Sequence, residues 1–337
     1  MNINSSKTKV IKFGKNTAKQ KFYINGDEIE MVNNFKYLGV TITNKGKYKL
    51  TIKDNIEKAR KAFYAQLRQV RQNYIPLDCH IDLFIKTIEP ILLYGAEIWG
   101  YENHKHLEQF RLRCLKTILN VKTSTPDYMV YGELGIHPLE ETIKLRMINY
   151  WGNLITGKQS KLSAILYNTS RQNTFSIQPV FKWNEAIKKI LDELGFSLLW
   201  STKTPELLYP FKATEIKQRL SDQSQQKILA VSDSTKKRNY IFLLLERRLA
   251  PYIEILDKRD ALCLLRFRTS NHKLPIETGR YKNVEYKDRH CTTCKTLGDE
   301  FHFLFICPLL HESRKKFIPS KKSVMTGRWC SIVTKPN

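Results

Sequence analysis

Residues 291–308 read CTTCKTLGDEFHFLFICP, which places three cysteines and one histidine within seventeen residues. The spacing is C-x2-C-x7-H-x4-C, and ligands of these types close a tetrahedron around structural zinc; the four are Cys291, Cys294, His302 and Cys307. Pro308 disfavours the α conformation at Cys307. The chain can therefore change direction at this cysteine, at the end of the apolar segment that contains His302. Because so short a unit has little core of its own, we predict that a structural Zn²⁺ ion supplies much of its folding energy.

The sequence leaves a choice of histidine ligand. His290 lies beside Cys291, and His311 follows Cys307 by four residues, a spacing that would place both on one helix face. We favour His302, with His311 as the substitute. Four protein ligands leave no open position for water, so the pattern argues against a catalytic zinc.

The charge of the chain indicates a polyanionic partner. Its 57 Lys and Arg residues outnumber 32 Asp and Glu residues, for a formal net charge of +25, and they are spread along the whole length. Such a surplus is typical of nucleic-acid-binding proteins. No run of 18 apolar residues and no signal-peptide core is seen, so no membrane partner is expected. An odd cysteine count of seven favours a reducing compartment over a disulfide framework.

Hydrophobic periodicity predicts a mostly α fold with a small N-terminal β hairpin region, of the α+β class. Asn25-Gly26 is a strong hairpin turn signal, and the β-prone run 35–42 contains Gly39, which suggests a bend or a close backbone approach. From Leu50 onwards the period becomes helical. Helices are expected over 50–70, 78–94 with a bend or interruption at Pro90, 107–119, 139–155, 181–199, 240–257 and 260–267. Residues 158–180 and 221–239 are polar, and 158–180 is expected to be a linker.

Several short motifs follow one another along the chain in an informative order. Residues 4–9 have the form N-x-x-K-T-K, residues 37–39 read YLG, and residues 90–99 have the form P-x-L-x-Y-G-x-E-x-W. The cysteine cluster follows, preceded by a basic segment from Arg266 to Leu274. In this order and at these separations, the motifs resemble the reverse transcriptases of non-LTR (LINE-type) retrotransposons, in the part that follows the catalytic aspartates.

The resemblance implies a domain order and a helical, thumb-like bundle with a small zinc-stapled C-terminal element. It matches only loosely from about 158 to 235. The expected segments are the end of the palm with a primer-grip-like hairpin at 1–46, a thumb-like helical domain at 47–157, a polar linker and helices at 158–239, and a C-terminal helical region with the CCHC element (291–307) at 240–337.

The resemblance also implies contacts with RNA and DNA, as a template–primer duplex or as single strands. Lys7 or Lys9 would lie near the phosphates of the incoming nucleotide, although a solvent-facing strand lysine is the simpler interpretation. The primer grip would comprise Tyr37, Leu38 and Gly39, with Leu38 equally well suited to a sheet core. Phosphates of the duplex would be bound by Arg60, Arg68 and Arg71. The zinc element would bind RNA or single-stranded DNA together with Arg266, Arg268, Lys273, Arg280, Lys287 and Arg289.

Catalysis by this chain alone is not expected. Nucleotide joining needs carboxylates that hold two metal ions, and the sequence contains no Asp-Asp pair. By resemblance the chain corresponds to the downstream half of a polymerase, so an upstream polymerase fragment is a candidate partner. A product of this family would be made in the cytoplasm and act in the nucleus. Two alternatives remain: a host-coopted RNA- or DNA-binding zinc module, and a helical zinc-containing scaffold for protein contacts.

Overall fold

The chain forms two compact units in the computed structural model, which describes residues 4, 7–14, 20–173, 181–202, 204–233 and 248–317. The first unit comprises Met1–Tyr74, Asp82–Arg111 and His137–Gln226, and the second comprises Ile75–Ile81, Leu112–Ile136 and Lys227–Asn337. Each unit is discontinuous in sequence, and the unit boundaries cross the four predicted segments, whose functional assignments stay predictions.

Two antiparallel hairpins form the β portion, as the sequence predicts. They comprise β1 Phe22–Ile24 with β2 Asp27–Ile29, and β3 Asn34–Tyr37 with β4 Val40–Thr43. Both reverse in two residues with positive φ, at Asn25 (50°) and Gly26 (89°), and at Leu38 (46°) and Gly39 (84°). This is the backbone geometry of a type I′ turn, whose twist matches that of the flanking strands.

The bend expected at Gly39 is a complete reversal of the chain. The run 35–42 is two strands rather than one, and Leu38 lies at the tip with 74% of its surface exposed. Leu38 is therefore not a sheet-core residue.

Helices make up most of the described chain. They are α1 Lys49–Gln72, α2 Leu77–Leu92, α3 Ala96–Trp99, α4 Lys105–Ile118, α5 Asp127–Leu134, α6 Leu139–Thr156, α7 Leu162–Asn173, α8 Lys182–Glu193, α9 Ser197–Ser201, α10 Pro205–Asp233, α11 Pro251–Ile255, α12 Lys258–Arg268, α13 Pro275–Tyr281 and α14 His311–Phe317. Pro90 lies inside α2, which continues for two residues beyond it. None of the described helices combines the length and apolar character that a bilayer crossing requires.

The predicted linker at 158–180 and the polar stretch at 221–233 are largely helical. Within 158–180, α7 buries Tyr167, whose hydroxyl accepts a hydrogen bond of 2.8 Å from Trp151 Nε1. The polar stretch 221–233 is the end of α10. Along α7, the burial of Ala164 and Tyr167 at helical spacing outweighs the polar composition.

The predicted helix 240–257 is only partly confirmed in its described part, where residues 251–255 are helical. Residues 240–247 lie outside the described residues, and 248–250 are not helical. The helix α11 begins only at Pro251, because proline is suited to the first turn of a helix and breaks its interior.

The core of the first unit centres on two tryptophans. Trp99 and Trp151 are both fully buried. Gly100 follows Trp99 and lets α3 approach α6 closely, since an added Cβ would lie 2.6 Å from Ile143. The second hairpin is tied to α1 because Thr51 Oγ1 accepts from the backbone N–H of Thr41 at 2.9 Å.

A buried carboxylate joins three helices of the second unit. Glu133 in α5 has a fully buried side chain and accepts from Arg268 Nε in α12 at 2.9 and 3.1 Å. The Tyr252 hydroxyl in α11 donates to the same carboxylate at 2.7 Å. Burial, with Glu133 beside it, raises the pKa of Tyr252 well above the usual value, so the hydroxyl keeps the proton that it donates.

We predict that Glu133→Gln destabilises the second unit strongly. The substitution removes the negative charge that compensates the buried guanidinium of Arg268, and breaking such a pair typically costs about 3–5 kcal/mol. The matched control is Glu215→Gln, which removes an exposed ion pair with Lys212 and should change the free energy of unfolding by less than about 0.5 kcal/mol. Urea unfolding measures both, and equal effects of the two substitutions would contradict the prediction.

Candidate metal centre and basic surfaces

Two of the cysteines lie in a tight turn of a short hairpin. His290 and Leu297 form an antiparallel bridge, and the Cys291 N–H donates to the Thr296 carbonyl at 2.7 Å. Lys295 has a left-handed φ of 55° and donates its N–H to the Cys291 carbonyl at 3.0 Å. This local geometry turns the thiols of Cys291 and Cys294 towards the same point.

The other two ligands lie at the two ends of one turn. Asp299 Oδ1 accepts from the His302 N–H at 2.8 Å, as a capping carboxylate does. The chain then forms a π-helical turn over His302–Ile306. Cys307 follows with an extended ψ of 120°, the conformation that Pro308 favours in the residue before it.

These elements bring the four side chains together. The candidate ligand atoms of Cys291, Cys294, His302 and Cys307 all lie within 4.8 Å of one another, so the cluster could hold a metal ion. Sγ of Cys307 is 4.0 Å from Sγ of Cys291 and 3.8 Å from Sγ of Cys294. Those separations are far too long for disulfides. A tetrahedron with zinc–sulfur bonds of about 2.3 Å has sulfur–sulfur edges of about 3.8 Å, which fits them.

The histidine of the cluster is oriented for ligation. His302 is 5% exposed, and its Nε2 is buried with no hydrogen-bond partner among the described residues. Its Nδ1 lies 3.2 Å from the Thr296 hydroxyl. A proton on Nδ1 leaves the lone pair of Nε2 for a metal, and a second partner of this kind is usual for ligating histidines. His290 and His311 are exposed and lie outside the cluster.

The pKa values of two of the thiols are shifted in opposite directions when no cation is bound. Backbone N–H groups of Cys294 and Thr293 lower the pKa of Cys291 to about 6. Partial burial and the neighbouring sulfur atoms of Cys307 and Cys291 raise the pKa of Cys294 to about 11. One thiolate is therefore readily formed, and a second beside it needs a compensating positive charge.

Further contacts brace the centre. Arg314 donates to the carbonyl of Cys307 at 2.5 Å, and His272 Nε2 lies 2.9 Å from Glu300 Oε1. Thr296 and Asp299 were not predicted from the sequence. For Asp299 a signal was present, since an aspartate three residues before the His302 N–H has the spacing of a helix cap.

The predicted palm residues all belong to the first unit. Lys7 is exposed, and Lys9 forms an ion pair with Glu30 at 2.5 Å. Tyr37 is 59% exposed beside the hairpin tip. Tyr94, from the P-x-L-x-Y-G-x-E-x-W segment, donates its hydroxyl to the Leu38 carbonyl at 2.6 Å. A Cβ added to Gly39 would lie 3.0 Å from the Tyr94 ring, so the turn and this ring are in contact.

The three arginines predicted on α1 differ in their surroundings. Arg60 is half-buried, with its guanidinium 5.6 Å from the centroid of the Phe110 ring and its Nε 3.4 Å from Glu57. Arg68 and Arg71 are exposed, and neither forms an ion pair with any residue that the structure describes. These two are therefore better placed for a phosphate than Arg60.

In the second unit the predicted basic residues fall into two groups. The structure argues against the predicted nucleic-acid contact of Arg268. Its side chain is 5% exposed and bound to Glu133, so little of its surface is accessible to a phosphate. Arg266 donates to the Asn120 carbonyl at 3.2 Å and is half-buried. Exposed basic side chains are Lys273, Lys287 and Arg280, the last paired with Glu277 at 3.2 Å.

Comparison with known proteins gives two relatives, both from Drosophila melanogaster. The chain is 26% identical over 133 residues to the RNA-directed DNA polymerase from mobile element jockey, and 22% identical over 135 residues to the probable RNA-directed DNA polymerase from transposon BS. Each match covers 38% of this chain and 14% of the relative's length. No protein-family model and no solved structure matches the chain.

The similarity agrees with the family indicated by the motifs. Over the matched part, this chain contains a region related to the RNA-directed DNA polymerases of non-LTR retrotransposons.

Proposed function

We propose that this chain is a zinc-stapled, nucleic-acid-binding part of a retrotransposon RNA-directed DNA polymerase that does not join nucleotides on its own. The relationship to two such polymerases is the observation that carries the proposal. RNA templates and DNA products are polyanions, and a chain of formal charge +25 has the matching sign.

The exposed arginines of α1 support the binding role. Arg68 and Arg71 project from a 24-residue helix whose opposite face is buried. Guanidinium groups on a rigid helix can contact successive phosphates without reading bases. Such contacts release condensed counterions, so the affinity they give falls steeply with salt.

The chemistry of the cluster supports zinc as its metal. Three thiols and one imidazole are soft or borderline donors, and tetrahedral sites of this composition favour zinc. We assign the ion a structural role, with Cys291, Cys294, His302 and Cys307 as its four ligands.

The proposed lack of polymerase activity concerns this chain alone. The sequence contains no Asp-Asp pair, whereas two-metal nucleotide transfer depends on paired carboxylates. A polymerase fragment supplying those groups would be the natural partner.

One observation favours a scaffold for protein contacts as a second candidate. Several large apolar side chains of the first unit are exposed, namely Leu162 (70%), Leu166 (59%), Leu198 (80%) and Phe211 (80%). Exposed apolar groups of this kind suit protein partners. The response of nucleic-acid binding to salt separates the two candidates.

We predict one zinc ion per chain in the wild-type protein, and loss of that zinc in Cys294→Ser and His302→Ala. Each substitution removes one of four ligands and should make the segment 290–317 sensitive to protease, because the metal contributes its folding energy. Elemental analysis after desalting measures the zinc. His311→Ala and His290→Ala are the matched controls and should retain one zinc ion. Zinc loss in His311→Ala with retention in His302→Ala would contradict the assignment.

We predict that RNA and DNA binding weakens linearly in log Kd against log salt concentration. We measure filter binding of a 20-base-pair duplex at several salt concentrations. The magnitude of the slope should fall by about 0.9 for each phosphate contact that is removed. Arg68→Gln with Arg71→Gln should therefore reduce the slope by about 2. The control, Lys188→Gln with Lys189→Gln on α8, removes the same charge. It should change the slope by less than about half as much as the arginine variant does. A flat salt response of the wild type would favour the scaffold instead.

We predict no primer extension by the purified chain on a homopolymer template, since the sequence contains no Asp-Asp pair to hold the two metal ions. Incorporation of labelled nucleotide is measured beside a complete reverse transcriptase. Robust incorporation by this chain alone would overturn the proposed inactivity and leave the binding proposal intact.

A further inference from the structure

Two tyrosines of the second unit are unusually exposed. Tyr281 ends α13, and Tyr286 begins a 3-10 turn, Tyr286–Asp288. Their exposed fractions are 63% and 60%. Their exposed ring faces are not stabilised by packing in the core, and neither tyrosine has a role in the site described above.

Each ring has a cation close to it. Lys122 Nζ lies 4.3 Å from the centroid of the Tyr281 ring, and the guanidinium carbon of Arg289 lies 6.0 Å from the centroid of the Tyr286 ring. These are cation–π distances. Because both rings stay more than half exposed, each can still offer surface to a second planar group.

The backbone that carries the rings is clamped in place. Arg289 donates to the Ile276 carbonyl and, through two nitrogens, to the Val284 carbonyl, each at 3.0 Å. Gly279 permits this approach, since an added Cβ would lie 2.6 Å from Arg289 Cγ. Tyr281 and Tyr286 are five residues apart, which limits their Cα separation to about 17 Å.

Positive charge surrounds the pair. Between residues 280 and 290 four basic residues outnumber two acidic ones, Glu285 and Asp288. Lys282 and Lys287 are exposed, and neither forms an ion pair within the described part of the chain. Exposed rings interleaved with free lysines are the arrangement on which unpaired bases stack while phosphates are neutralised.

We propose that Tyr281 and Tyr286 form a stacking platform for the unpaired bases of a single-stranded nucleic acid, with Lys122, Lys282 and Lys287 facing its phosphates. The inference rests on the proposed function and deepens it, since it names single strands as the ligand of this surface. Base faces are covered in a duplex, so the platform discriminates against double-stranded substrates. Every base has a stacking face, and little sequence preference follows.

The test uses the full zinc-loaded chain and fluorescence anisotropy of labelled oligonucleotides. Ligands are a single-stranded RNA, a DNA of the same sequence, and the DNA duplex. Tyr281→Leu with Tyr286→Leu should weaken single-strand binding by about tenfold to a hundredfold and change duplex binding by less than about threefold. Tyr281→Phe with Tyr286→Phe retains both rings and should bind within about threefold of wild type. Tyr23→Leu, which removes a tyrosine of 56% exposure from the first unit, is the matched control.

The zinc content of the leucine variant shows whether its metal centre is intact. A second measurement uses only the wild-type chain and so does not depend on the folding of the variant. Single strands carrying 5-iodouracil are photo-crosslinked to the wild-type chain, and the attachment sites are mapped by mass spectrometry. Crosslinks at Tyr281 or Tyr286 support the platform, and the RNA and DNA arms show which polymer it prefers. Wild-type affinity in the leucine variant, or crosslinks confined to other residues, overturns the platform while the proposed function stands. Failure of the wild type to bind any of the three ligands overturns both.

Discussion

Three thiols and an imidazole within 4.8 Å of one another impose the main physical constraint on the second unit. Thiolates so close together repel, and protonated thiols make poor hydrogen bonds. A divalent cation reduces the conflict, because it displaces the thiol protons and offsets most of the negative charge on the three sulfur atoms. The sulfur–sulfur distances of 3.8 and 4.0 Å leave room for the ion without rearrangement of the turn.

The neighbouring structure depends on this centre. Between 290 and 307 few side chains are buried, chiefly His302 and Cys307, which are themselves ligands. The hairpin nevertheless supports α13, since the Ile276 N–H donates to the Gly298 carbonyl at 3.1 Å. Arg289 lies two residues before Cys291 and clamps the segment that bears the two exposed tyrosines. A metal that fixes the hairpin therefore also fixes the surface that we propose for single strands.

Local patterns in the sequence were sufficient for much of the fold. The three cysteines and His302 lie within one short segment, so their spacing alone indicates the cluster. Asn25-Gly26 likewise determines the turn of the first hairpin without help from the rest of the chain. The periodicity of α1 was equally direct, because its buried face repeats at helical spacing. In each case the residues that determine the structure are close in sequence.

Features that depend on distant partners were not predictable. Arg268 was expected to contact nucleic acid, but its carboxylate partner Glu133 is 135 residues away in sequence. The burial of Tyr167 within a polar stretch depends on Trp151 in another helix. The cations beside Tyr281 and Tyr286 likewise could not be identified, since Lys122 approaches Tyr281 only in the folded chain.

We infer that a zinc-bound, cationic chain binds nucleic acid. Native mass spectrometry of the purified chain with a single-stranded oligonucleotide tests it most directly, because one spectrum reports both metal and polymer. We expect a species with one zinc ion and one oligonucleotide, whose population falls when the metal is chelated. A metal-free folded chain, or a zinc-loaded chain that forms no complex at low ionic strength, would contradict it.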